Sequence, residues 1–254
     1  MAAAVAAAVA QRKVDAVTAI AETFRLAVFP ERIGLREHGR EHLIPYGTTA
    51  FNAFGPRKNL RPDGWGAAVY AAADRGDCSH DEAERLVRSF LTAGVDTTVN
   101  GLANMLQAFA THPGEWAKLR ADPSLAKKAF EKSLRWGGTV QTFFRTTARD
   151  VAIGEDTIPE GAKVILYLAA ANRDPRHWDR ADRFDIARSA SGQLGFGFGI
   201  HQCLGQMVAR LEAEAVLKAM IERVAEIRVV APAERRLNNT LHAVSKLPLE
   251  LILM

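Results

Sequence analysis

Cys203 is the residue best placed to do chemistry. It closes a glycine-rich stretch, Gln193–Gly205, in which Gly195, Gly197, Gly199 and Gly205 interleave with Phe196 and Phe198. Glycines at this density let a backbone turn tightly or lie close to a flat partner. A helical pattern starts directly after Cys203. A cysteine there meets unpaired N–H groups and the positive end of the helix dipole, and both favour a thiolate. Such a thiolate suits a nucleophile, a redox thiol, a zinc ligand or a haem ligand. Zinc wants about four ligands, and only His201 is close in sequence. A redox pair needs a second cysteine, and Cys78 is remote. The GxG pattern lacks the strand–turn–helix and later acid of a dinucleotide loop. A buried cysteine in a glycine turn is the plainer alternative.

A second chemical cluster is Ala93-Gly94-Val95-Asp96-Thr97-Thr98, in the middle of a long helical pattern. Glycine and paired threonines weaken a helix there, and a threonine hydroxyl can open the i−4 hydrogen bond and bend the axis. A carboxylate beside a hydroxyl at a bend is a candidate proton relay. A threonine face packed on a neighbour is the alternative.

Phe196-x-x-Gly199-x-His201-x-Cys203-x-Gly205 resembles the haem-binding loop of the cytochrome P450 family. That resemblance implies haem b with Cys203 as the axial thiolate, which pushes electron density towards O–O cleavage. It implies that Phe196 packs near the sulfur, that Gly199 allows the turn and that Gly205 lets the helix approach the porphyrin. It places His201 and Arg145 on haem propionates, a job suited to Arg145's forked guanidinium. AGVDTT is similar to the family's oxygen-activating motif, with Ala93 against the haem and Asp96 and Thr97 as the acid–alcohol pair. Asn172-Arg173-Asp174-Pro175 and Arg183-Phe184-Asp185 resemble the family's meander. The segments TTVNGL, VQTFFRTTARD and RLNNTL are most similar to bacterial soluble members that oxidise small aromatic acids.

The implied fold is mainly α with small β-sheets, the C-terminal part of the cytochrome P450 fold. Residues 1–254 would form one haem-thiolate domain, incomplete on its N-terminal side, with 79–254 the best-matched core. The implied activity is a haem monooxygenase acting on a small organic substrate, with electrons from a ferredoxin-type partner docking over the Cys203 face. A truncated, inactive remnant and a haem-binding module are the alternatives.

Composition agrees with a soluble globular chain: 48% hydrophobic, 24% charged, 254 residues. No apolar run reaches the roughly 18 residues of a membrane span. The opening MAAAVAAAVA lacks a charged n-region, so it reads as helix and not as a signal peptide. Two cysteines suit a reducing cytoplasm. A net charge of +4 does not call for nucleic acid.

The elements follow from pattern. Helices are expected over Ala2–Phe29 (stopped by Pro30), Asp63–Ala73, His80–His112, Pro113–Asp122, Pro123–Trp136 and Leu204–Val224. The last should bury Met207, Leu211, Ala215 and Leu217. In His80–His112, Leu86, Phe90, Ala93, Thr97, Leu102 and Leu106 recur near helical spacing, and Ser79 with Glu82 fits a capping box. Glu31–Arg40 reads as charged loop and His42–Phe54 as mixed. Thr139–Thr147 reads as strand, Arg149–Ile158 as a hairpin, Val164–Ala171 as an apolar run of open type, and Ile227–Met254 as short strands.

Two departures from the family stand out. Members are usually considerably longer, and the jump from Arg57 to Asp63 looks short. The family's Glu-x-x-Arg has Lys132 at the glutamate position before Arg135. Glu131 is one residue off, about 100° around the helix. Lysine there sets like charges near Arg135 and near Arg183 or Arg188.

Overall fold

The computed structural model describes residues 2–35, 37 and 60–254. The mixed segment His42–Phe54, the Gly55-Pro56 turn and positions 36 and 38–40 of the expected Glu31–Arg40 loop fall outside the described residues.

The N-terminal helix is broken where one continuous helix was expected. Helix α1 spans Ala2–Gln11, strand β1 Lys13–Asp15, a π-helical segment Val17–Glu22 and helix α2 Thr23–Ile33. The break is tertiary in origin. Arg12 turns with φ of 61°, its carbonyl accepts from Leu251 N at 2.6 Å, and the Asp15 carboxylate accepts from Val17 N and Leu247 N. Pro30 does not stop α2, which runs one more turn to a left-handed cap at Gly34.

Helix α3 is Trp65–Asp74. Helix α4, His80–Gly94, opens on the expected capping box of Ser79 and Glu82. The axis breaks at Val95 and resumes as α5, Asp96–Thr111. Helix α6 is Pro113–Ala121, and α7, Ala126–Gly137, ends on left-handed Gly138. Strands β2 (Thr142–Thr146) and β5 (Lys163–Tyr167) pair antiparallel, and β3 (Val151–Ile153) with β4 (Asp156–Ile158) forms the expected hairpin. The open-type run therefore divides: its first half is β5 and its end is the single turn α8, Leu168–Ala171. After the meander comes α9, Gln206–Ile221. The C-terminal strands are β6 (Val224–Val229), β7 (Glu234–Arg236), β8 (Ala243–Lys246) and β9 (Pro248–Leu253). Strand β9 lies between β1 and β6, and β7 pairs with β8.

The main core is built from α5 and the helices around it, with Phe24, Leu102, Leu106, Phe109, Trp116 and Val216 all buried. Helix α7 packs against both α5 and α9. The two sequence motifs therefore flank one common helix. A smaller core joins the end of α2 to α3 and α4 through Phe29, Ile33, Tyr70, Val87 and Val95.

Candidate functional site

The glycine loop is held in place from both sides. Gly197 and Gly199 adopt φ of 72° and 65°. A Cβ on Gly197 would sit 3.1 Å from the His201 carbonyl, so only glycine takes this turn without strain. Cys203 N donates to the Phe196 carbonyl at 2.8 Å and closes the loop. The Phe196 ring lies under the Arg210 guanidinium of α9 (4.7 Å) and edge-on to Phe130 of α7 (6.3 Å). Glu131 of α7 accepts from Arg210 Nε at 2.5 Å and from Gln193 Nε2 at 2.8 Å. Asn172, fully buried, accepts from Leu194 N through its side-chain oxygen at 2.7 Å. Arg210 was not singled out from the sequence, and Glu131, Gln193 and Asn172 were named there without these partners. Their contacts span up to 79 positions, beyond any local pattern.

Cys203 is half-buried, and burial pushes its thiol up. The Gly205 N–H and the Arg210 charge pull it only part of the way back. The expected backbone cage for a thiolate thus reduces to one N–H, because Cys203 lies two residues before the helix cap at Gly205. The anion needs a cationic partner at the sulfur.

Helix α9 corrects another expectation. Its core face is Ala213, Val216, Leu217 and Met220, while Met207 and Leu211 are 60% and 63% exposed and Leu204 is 81% exposed. An apolar strip therefore starts beside Cys203 and runs along the helix. Helix α4 likewise buries Ala83 and Val87 and leaves Leu86 45% exposed, with Ala93 exposed. Phe143 and Phe144 of β2 are exposed too.

At the helix break, Thr97 Oγ1 donates to the Ala93 carbonyl at 2.6 Å. This is the i−4 bond that the paired threonines led one to expect at a bend. Asp96 sits 3.5 Å from the Arg236 guanidinium at the surface, and the Asn100 side chain donates to the Asp96 carbonyl. Gly94 is packed hard: a Cβ there would meet the Phe29 ring at 2.1 Å and Arg25 Nη2 at 2.9 Å. That same Arg25 pairs with Glu212 of α9 at 2.5 Å, both 3% exposed. So the break and α9 are joined through one buried ion pair. Burial pulls Arg25 down to about 10 and pushes Glu212 up, each partly restored by the other. Glu212→Ala should cost about 3–5 kcal/mol in a urea melt, because it strands a buried guanidinium. Glu212→Gln should cost less.

His201 is exposed at the end of a short 3₁₀ turn. Arg145, on β2, donates to the Phe144 carbonyl at 2.8 Å and lies 5.4 Å from the Phe143 ring.

The Lys132 position behaves as its charge requires. Lys132 is 3% exposed, and its Nζ has no hydrogen-bond partner. Burial first, then Arg135 and Arg188, pull its ammonium down to about 8. Arg188 is the meander arginine that matters. Arg183 contributes only its carbonyl, which accepts from Arg135 Nη2; Arg135 Nη1 donates to the carbonyls of Asn172 and Ala181.

The donor set fits a haem. A single thiol sulfur is offered next to exposed apolar side chains. Among the described residues no group of three His, Cys, Asp or Glu side chains could hold a metal by itself. A metal that brings a flat apolar macrocycle and needs one protein ligand matches both facts.

The family model for "Cytochrome P450" matches residues 67–225. This chain belongs to the cytochrome P450 family, whose members bind haem b. It is 48% identical over 262 residues to cytochrome P450 CYP199A2 of Rhodopseudomonas palustris, covering 94% of this chain and 64% of the relative. It is 34% identical over 175 residues to the beta-dihydromenaquinone-9 omega-hydroxylase of Mycobacterium tuberculosis, covering 69% of this chain and 36% of that protein. The structure of cytochrome P450 CYP109Q5 from Chondromyces apiculatus superposes with a TM-score of 0.84 at 27% identity, over 100% of this chain and 71% of that one. The chain thus spans less than two thirds of the length of the curated relatives named here. The expected mainly α architecture with small sheets agrees with these neighbours. Among the described residues no helix is long and apolar enough to cross a membrane.

Proposed function

We propose that the chain forms the haem-thiolate part of a monooxygenase acting on a small organic substrate. The observation that carries this reading is Cys203, fixed by its loop at the head of the exposed apolar strip of α9. When bound there, haem supplies reductive activation of dioxygen and insertion of one oxygen atom into the substrate. Cys203 would hold the haem iron through its sulfur, and the Gly205 N–H would steady the charge on it. Phe196 packs beside the sulfur, and Gly199 and Gly205 keep the approach clear of side chains. Ala93 would face the haem, and His201 and Arg145 would bind its propionates. Asp96, beside Arg236 at the surface, takes protons from solvent and passes them to Thr97 Oγ1. The Ala93 carbonyl orients that hydroxyl. Electrons arrive singly from a ferredoxin-type protein docking over the Cys203 face, and the protein works in the cytoplasm.

The substrate class is a small aromatic acid. This rests on the similarity of residues 97–102, 140–150 and 236–241 to bacterial soluble members that oxidise small aromatic acids. Titrating haem-loaded protein with substituted benzoic acids should give a saturable haem spin-state shift, and neutral esters of the same acids should give much less. An equal response to acid and ester would overturn the substrate class.

A further inference from the structure

Helix α7 and the meander line a cavity of about 490 Å³ that is open to solvent on one side. Its walls carry Lys127, Lys128, Glu131 and Lys132 from α7 and Arg188, Ser189 and Ser191 from the meander. Four of these are cationic. The one carboxylate, Glu131, has an oxygen engaged by Arg210 and the other by Gln193. Asp185, near by, accepts from Lys118 Nζ and Ala187 N. Arg188 donates to the carbonyls of Asp179 and Arg180, so its hydrogen bonds bring no negative charge. Arg135 likewise has only carbonyl partners. Lys132 Nζ is fully buried and makes no hydrogen bond. A buried ammonium without an acceptor is a costly group, and a site that surrounds it with like charge is short of an anion.

We propose that this cavity binds a small oxyanion of the phosphate class, with Lys132 Nζ as the buried donor. A tetrahedral oxyanion offers several acceptors that converge on donors from two elements, which one chloride or one fixed carboxylate does not. Ser189 Oγ accepts from Ser191 N at 3.2 Å and keeps its own proton to donate. Lys127 and Lys128 stand exposed at the rim and draw the anion in. A bound anion would also tie α7 to the meander, beside the Glu131 anchor of the Cys203 loop. The site is independent of haem and of the proposed activity.

The test is isothermal titration of the 254-residue chain with inorganic phosphate at pH 7 and constant ionic strength. The wild type should show saturable one-site binding and a matching rise in melting temperature. Lys132→Met should weaken binding at least tenfold, Lys132→Arg should retain most of it, and the rim variant Lys128→Gln should weaken it severalfold. Equal stabilisation by chloride at the same ionic strength, or phosphate binding unchanged in Lys132→Met, would overturn the proposal. If Lys132→Met fails to fold, the Lys128→Gln and chloride comparisons still decide it.

Discussion

Cys203→Ala should abolish the red-shifted Soret band of the reduced, carbon-monoxide-bound protein. The sulfur is the one soft donor in its loop, and His201 points its chain position outwards as an exposed residue. The loop itself should survive the change. Its closure depends on Cys203 N to the Phe196 carbonyl, on Phe196 between Arg210 and Phe130, and on Glu131, none of which uses the thiol. The variant should therefore melt close to wild type while losing the thiolate signature completely. In the metal-free chain burial keeps the thiol protonated beyond its usual range. Metal binding must then release a proton, so haem loading should improve as pH rises. A red-shifted band persisting in Cys203→Ala would mean that another group holds the iron.

The second large effect is expected at Lys132. Its ammonium titrates at about 8 in the fold against an ordinary 10.5. The unfolded chain binds more protons between those values, so stability should climb as pH rises from about 8 to 10.5. Below pH 8 both states are charged and the whole penalty of burial is present. Lys132→Met keeps the apolar stem and deletes the charge. It should stabilise the chain at pH 7 by about 1–3 kcal/mol and flatten that part of the pH profile. Lys132→Glu should do at least as well, since a carboxylate there meets Arg135 and Arg188, whose partners are carbonyls. Urea midpoints of the three proteins from pH 7 to 10.5, in phosphate-free buffer, read this directly. A destabilised Lys132→Met with an unchanged pH slope would show that the amine is not buried as charge.

Local chemistry made much of the site legible. The Ser79–Glu82 box, the break within AGVDTT and the left-handed end at Gly138 follow from side chains bonding their own backbone or from a missing Cβ. The like charge at Lys132 could be anticipated because a helix fixes what stands three residues before Arg135. What was not legible depends on partners far along the chain. Arg12 breaks the first helix because β1 pairs with β9, more than two hundred positions away. Met207 and Leu211 looked like core, since apolar periodicity cannot tell a face packed on protein from one left open. Glu131 looked like a displaced acid until Arg210 and Gln193 were seen to share it. The Arg25–Glu212 pair had no sequence signal at all, being 187 positions apart.

The central claim is that Cys203 gives this chain a haem-thiolate site. The direct measurement is a reduced, carbon-monoxide difference spectrum of the chain expressed with haem precursor. The account predicts a strongly red-shifted Soret band, lost in Cys203→Ala. An unshifted band, or protein that folds and takes up no haem, would contradict it.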